Sequence, residues 1–391
     1  MPLGRVFAVI FFLSVCFAGV TSLINMFEAV IESWQHKFKL KRNILISVMV
    51  LIFIFIIYFV GTELRDKSSI NNQYDGKIKS ANLSVDYEIK QVMKDIDKLG
   101  LNTVNVPIII NVDEINSDIM TIDNSSKEKA IKLIKKLNKK GISTILEAYP
   151  WIENGELYET DWNPRNKERF FYTWQNTILN ELIIDVANPL DVNVLNIGSN
   201  LVHLEEYQKN WSEIIDFVQS KFDGLVTYRT NWWYTKKDDL NSKLSYEQKL
   251  NNNFFDKLDF ISIAAYFELS NKPINTVDEL VSALHSSTVN NRRQNIKEEI
   301  YNLYKVHGKP IFFGELGFSN RENASSQPWN HIPSEVINDE EQARCFEAYK
   351  KVFENEDWIN GFSVFCVGKI DEEKNFYPSK ESIKVIKSWY E

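Results

Sequence analysis

The chain has 391 residues, 44% hydrophobic and 25% charged, a globular balance that excludes wholesale disorder. Its 45 Lys and Arg stand against 53 Asp and Glu, a net charge of −8 that argues against a nucleic-acid partner. Three cysteines, none in a C-x-x-C pair, exclude a disulfide framework and a zinc ribbon. The aromatic residues are numerous, with Trp 10, Tyr 16 and Phe 25, and rings exposed in a cleft are what a carbohydrate site needs.

In chain order, the first features are two apolar runs, 6–27 and 44–60, each near membrane-spanning length. They flank a loop bearing His36, Lys37, Lys39, Lys41 and Arg42, so the pattern predicts a transmembrane helical hairpin over 1–61 rather than a cleaved signal peptide. Positive loops stay cytoplasmic, which places the N-terminus and everything after Gly61 outside the cell membrane. Residues 62–76 are polar and lack apolar periodicity, as expected of a linker.

From Lys77 to the end, strand and helix patterns alternate. Strands are expected at 78–84, 102–110, 142–148, 193–198, 224–229, 259–265, 310–314 and 360–366. Among the intervening helices, the clearest is SKEKAIKLIKKLNKKG, with Ala130, Ile131, Ile134 and Leu137 on one face and Gly141 as its cap. Continuously apolar strands covered by amphipathic helices imply a parallel sheet, and the domain 77–391 suits an α/β fold of the (β/α)8 TIM barrel type better than a doubly wound sheet. No G-x-G-x-x-G, phosphate loop or G-x-S-x-G is present, and the five histidines include no pair at metal-ligand spacing, so no cofactor and no metal are expected.

In such a barrel, chemistry sits where strands end at the C-terminal face. The expected strand ends deliver Asn82, Ser84, Asn111, Glu147, Tyr149, Trp151, Asn200, Arg229, Asn231, Trp232, Tyr266, Glu268, Glu315, Cys366 and Lys369. Glu315 is the sharpest, a carboxylate closing the apolar strand in KPIFFGELGF; taken alone it reads equally as a salt-bridged strand end. Asp161, Trp162 and Trp329 lie in loops at the same rim, where rings can stack on sugar faces and polar groups can meet hydroxyls.

Two resemblances sharpen these expectations. The stretch FFLSVCFAGVTSLINMFEAVIESWQHKFKLKR resembles the eighth transmembrane helix and following loop of bacterial neurotransmitter:sodium symporters, over roughly residues 1–45. That likeness carries half of a sodium site onto Ala18, Thr21 and Ser22, with the other half missing, and so implies a non-functional remnant fused to an anchor.

The run NIGSNLVHLEEYQKNWSEIIDFVQSKFDGLVTYRTNWW, with DFISIAAYFEL and KPIFFGELGF, resembles glycoside hydrolase family 113 over residues 77–391. That family's members are β-mannanases of the retaining clan A. The resemblance implies Glu315 as nucleophile and Tyr266 as its orienter. It also implies an acid/base glutamate in an I-G-x-E pattern at the end of the fourth strand, where this chain reads Ile197-Gly198-Ser199-Asn200. An amide cannot donate a proton as a carboxylic acid does, so another carboxylate must serve or the reaction is lost. Glu147 is the first candidate; Glu205 and Glu206 read more simply as helix-start acids.

The expectation is a membrane-anchored extracytoplasmic glycosidase acting on β-linked, mannan-type carbohydrate. Set against it are a barrel that binds carbohydrate without turning it over and a fragment that joins a symporter. The oligomeric state is left open.

Overall fold

The computed structural model describes residues 76–370 and 375–390. The expected hairpin, most of the linker and the sodium-site residues Ala18, Thr21 and Ser22 lie outside the described residues, among which no helix is long and apolar enough to cross a membrane.

Among the described residues, eight parallel strands form a ring: β1 (Ile78–Leu83), β2 (Thr103–Val112), β3 (Ser143–Ile152), β4 (Val194–Ser199), β5 (Leu225–Asn231), β6 (Phe260–Ala264), β7 (Ile311–Leu316) and β8 (Ile359–Val367). Each pairs with its sequence neighbour, and β1 pairs with both β2 and β8, which closes the barrel. A two-residue antiparallel strand, Thr121–Ile122, adds to the outer end of β2. The strands are buried almost throughout because helices cover the ring outside and side chains fill it inside, the reason their sequences run apolar without alternation.

The helix Asn124–Lys140 shows how local signals fix these elements. The Asp123 side chain accepts from Ser126 N at the start, Gly141 ends the helix at φ 72°, and Ala130, Leu133, Ile134 and Leu137 are buried while Lys132, Lys135, Lys136, Lys139 and Lys140 are exposed. Between barrel and helices, Trp174, Trp211 and Trp389 are fully buried. Tyr228 joins this outer layer against Trp211 and Phe254.

Inside the ring, the N-terminal end is plugged by Ile78, Ile145, Val194, Phe260 and Phe312. Above this plug the lining turns polar, with Asn105, Glu147, Asn196 and Arg229 buried in the ring.

The closing seam depends on one glycine. Gly361 lies opposite Ile78 at φ 136°, and a Cβ there would fall 1.9 Å from the Ile78 carbonyl oxygen. Gly361→Ala is therefore expected to cost about 2–4 kcal/mol of stability. Urea unfolding with an unchanged m-value would measure it, and an unaltered midpoint would refute it.

Candidate active site

Side chains on a strand alternate faces, so Glu147, Tyr149 and Trp151 of β3 rise one above another from the barrel interior towards its mouth. The apolar pattern predicts that this strand ends at residue 148, but the ladder with β2 continues through Asn111↔Trp151 to Val112↔Ile152. Glu147 is consequently not a strand-end residue. It sits midway along a ten-residue strand, below the mouth and buried.

The polar layer is organised around Arg229 of β5. Its guanidinium is buried and donates to both carboxylates: Nη2 to Glu147, and Nη1 to Glu315 Oε1 at 2.5 Å, with a further 3.3 Å contact from Nη1 to Asn82 Oδ1. Burial opposes the positive charge, but the two carboxylates more than offset it and raise the Arg229 pKa. Glu147 Oε1 also accepts from Asn105 Nδ2 at 2.8 Å and Asn196 Nδ2 at 3.2 Å. Asn105 is held in turn by Ser80 and Ser363, and Asn82 donates to Gly314 O and Ser363 Oγ. Arg229, expected as one of the strand-end groups, is thus a buried strut beneath Glu315. Gly314 makes room for it, since a Cβ there would lie 3.2 Å from Arg229 Nε and 1.9 Å from Ser262 Oγ.

Above this layer lie the groups of the mouth. Glu315 is the penultimate residue of β7, and the Tyr266 side chain, just past β6, is buried close enough to feel its charge. The Tyr266 pKa is raised well above its usual value, by burial first and then by Glu315. The Tyr149 hydroxyl is raised likewise, by burial first and then by the charges of Glu159 and Glu315.

Glu159 went unremarked in the sequence. It lies on a 3-10 turn, Glu159–Asp161, in the loop after β3, and its Oε1 accepts from Asn200 Nδ2 at 3.0 Å. Burial first, and then the nearby Glu315 charge, raise the Glu159 pKa above the ordinary carboxylate range, against the lowering by the Asn200 hydrogen bond. The sequence signal was weak, an acid in YETDW two residues from Asp161, and strand periodicity does not extend into a turn. Asp161 itself is exposed.

Other expected residues separate into rim and core. Trp232 and Trp329 stack at 5.2 Å between centroids and 18° between planes, on the loops after β5 and β7, with Trp329 43% exposed. Trp151 is half-buried beside Tyr149, and Asn231 closes β5 half-buried. Trp162 was expected at the rim and is instead fully buried, its ring packed on Phe170 and Trp174 and its Nε1 donating to Ser117 O at 2.9 Å. Trp233 likewise packs inward against Tyr246 and Phe267. Of the alternative acids, Glu205 pairs with Lys249 at 2.8 Å and accepts from Thr230, and Glu206 is solvent-exposed. Glu268 is ion-paired with Arg292.

A barrel whose C-terminal mouth gathers buried carboxylates over an arginine, beneath a rim of tryptophans, has the layout of a glycosidase. The family model described as Glycoside Hydrolase Family 113 matches residues 86–382, and the chain belongs to that family. Among solved structures, a family 113 β-1,4-mannanase complex is 22% identical at a TM-score of 0.60, covering 80% of this chain and 98% of its own. The family 113 β-mannanase AaManA from Alicyclobacillus acidocaldarius, in complex with ManMIm, is 16% identical at 0.63, covering 81% and 97%. A β-glucuronidase from Ruminococcus gnavus, in complex with D-glucaro 1,5-lactone, is 11% identical at 0.53, covering 80% of this chain and 50% of its own. No curated protein matches the chain by sequence.

Removing the strut should unbalance the layer. Arg229→Met leaves Glu147 and Glu315 buried without their cation, at an expected cost of about 3–5 kcal/mol. Denaturant unfolding at pH 7 tests this, and adding Glu147→Gln to the variant should recover part of the loss.

Proposed function

We propose that the protein is a retaining glycoside hydrolase acting on β-linked mannan-type poly- or oligosaccharide, with Glu315 as nucleophile. The observation that carries this reading is Glu315 at the end of β7, fixed from below by Arg229, in a chain of family 113. The two β-mannanase structures that share its fold support the choice of substrate.

In the reaction, a Glu315 oxygen attacks the anomeric carbon as the glycosidic bond breaks, and the leaving oxygen takes a proton from a second carboxyl group. Water then attacks the same carbon, gives a proton back to that carboxylate and releases Glu315, so configuration is retained. Arg229 holds the Glu315 carboxylate in place as a nucleophile must be held, a contribution of positioning rather than of chemistry, and Tyr266 would orient it from the end of β6. Trp151, Asn231 and the stacked Trp232 and Trp329 would line the subsites, with Asp161 at their edge. The apolar runs 6–27 and 44–60 would anchor the enzyme in the cell membrane with the barrel outside, a reading that protease accessibility of the barrel on intact spheroplasts would test.

Purified full-length chain in detergent should hydrolyse mannohexaose, and Glu315→Gln should lower the rate by about 10³-fold or more while leaving the fold intact. A second reading, a barrel that binds sugar without cleaving it, is favoured only by Asn200 at the position where the family resemblance expects a glutamate. Saturable mannohexaose binding with no products from the parent chain would decide for that reading.

A further inference from the structure

On the reading that this barrel is a retaining hydrolase, a proton donor has to be found, because Asn200 cannot be one. Glu147, the first expectation, is poorly placed. Its Oε1 is taken by Arg229, Asn105 and Asn196, it lies in the middle of β3 below the mouth, and the guanidinium holds it beneath the surface that substrate would reach. Glu205 and Glu206 are committed to Lys249 and to solvent.

We infer that Glu159 is the general acid/base, delivered from the loop after β3 to the place a β4 glutamate would occupy, and held there by Asn200. Four observations converge on it. Its carboxylate oxygen lies 3.0 Å from the Asn200 amide, so the carboxyl group stands one hydrogen bond from the end of β4. It is half-buried, and the Glu315 charge reaches both it and the Tyr149 hydroxyl. Its turn is fixed: Trp162 N donates to Glu159 O at 3.2 Å, and the Trp162 ring next door is buried and hydrogen-bonded to Ser117. Finally, the Asn200 side chain is buried at the tip of β4 with Oδ1 lacking a hydrogen-bond partner.

That amide suits a residue that changes protonation in each cycle. Nδ2–H donates to the Glu159 carboxylate, and after rotation about χ2 the vacant Oδ1 can accept from the carboxylic acid. The electrostatics agree with the role. Burial first and then the Glu315 charge favour the protonated form of Glu159, against the Asn200 hydrogen bond and the Arg229 charge. In the first step the Glu159 proton goes to the glycosidic oxygen as the C1–O bond breaks and the C1–Glu315 bond forms. In the second, Glu159 takes a proton from water as the new C1–OH bond forms and Glu315 leaves.

The test uses the full-length chain with 2,4-dinitrophenyl β-mannobioside, whose leaving group needs no proton, and mannohexaose, whose leaving group does. Glu159→Ala and the near-isosteric Glu159→Gln should lose about 10²–10⁴-fold in kcat/KM on mannohexaose yet still release a burst of dinitrophenolate. Azide should then accelerate turnover of the Ala variant and yield β-mannobiosyl azide. Asn200→Ala, which removes a hydrogen bond that favours the ionised form, should shift the alkaline limb of kcat/KM upward in pH. Mannohexaose cleavage within about tenfold of the parent in both folded Glu159 variants would overturn the assignment while the hydrolase reading stood. So would the burst and azide rescue appearing in Glu147→Gln instead. A parent chain inactive on both substrates would remove the hydrolase reading, and this assignment with it.

Discussion

The bridging of two buried carboxylates by one guanidinium is the interaction on which this barrel's mouth depends. Arg229 reaches from β5 to Glu147 on β3 and Glu315 on β7, linking strands that do not pair with each other. A buried charge pair is weak evidence for stability, because desolvation offsets much of the attraction. Its value here is geometric. The guanidinium fork fixes the Glu315 oxygen to a side chain that is itself fixed, and the asparagines and serines around it leave Glu147 little freedom to turn. The barrel carries an apolar plug at one end and a hydrogen-bonded polar layer in its middle, below the mouth.

The two carboxyl groups assigned to chemistry reach the mouth by different means. Glu315 is carried by a strand whose neighbours on both sides fix its height and direction. Glu159 is carried by a short turn supported by the Trp162 anchor, the Asn163 N–H on Ile115 O and the hydrogen bond to Asn200. The Asn200 backbone is itself unusual, with φ 55° in the left-handed region and its N–H on the Arg229 carbonyl. Asparagine tolerates that conformation better than glutamate does, so the residue type and the local backbone suit each other.

The barrel strands were legible in the sequence because each is a continuous apolar run between polar breaks, and all eight appear within a few residues of where the pattern puts them. Glu315 was legible for the same reason, as a charge where such a run stops. The end of β3 was not, because Pro150 interrupts a run that nevertheless continues in the ladder. That error of four residues turned Glu147 from a mid-strand ion-pair partner into an apparent strand end. Trp162 misled because sequence shows only that a ring follows a strand, whereas Phe170 and Trp174 on the next helix decide that it is buried. Glu159 was hidden because a turn has no period, and what distinguishes it from Asp161 is only the direction in which each side chain leaves the backbone.

The anchoring of the Glu159 turn also separates two kinds of thermal failure. Loops held by few contacts open at lower free energy than the strands they connect. A catalyst with its nucleophile in the ring and its proton donor on the turn should therefore fall silent on warming before the ring melts, and recover on cooling. Comparing the temperature at which mannohexaose cleavage fails with that at which near-ultraviolet dichroism is lost would show whether the two events coincide, in which case the turn is as durable as the barrel itself.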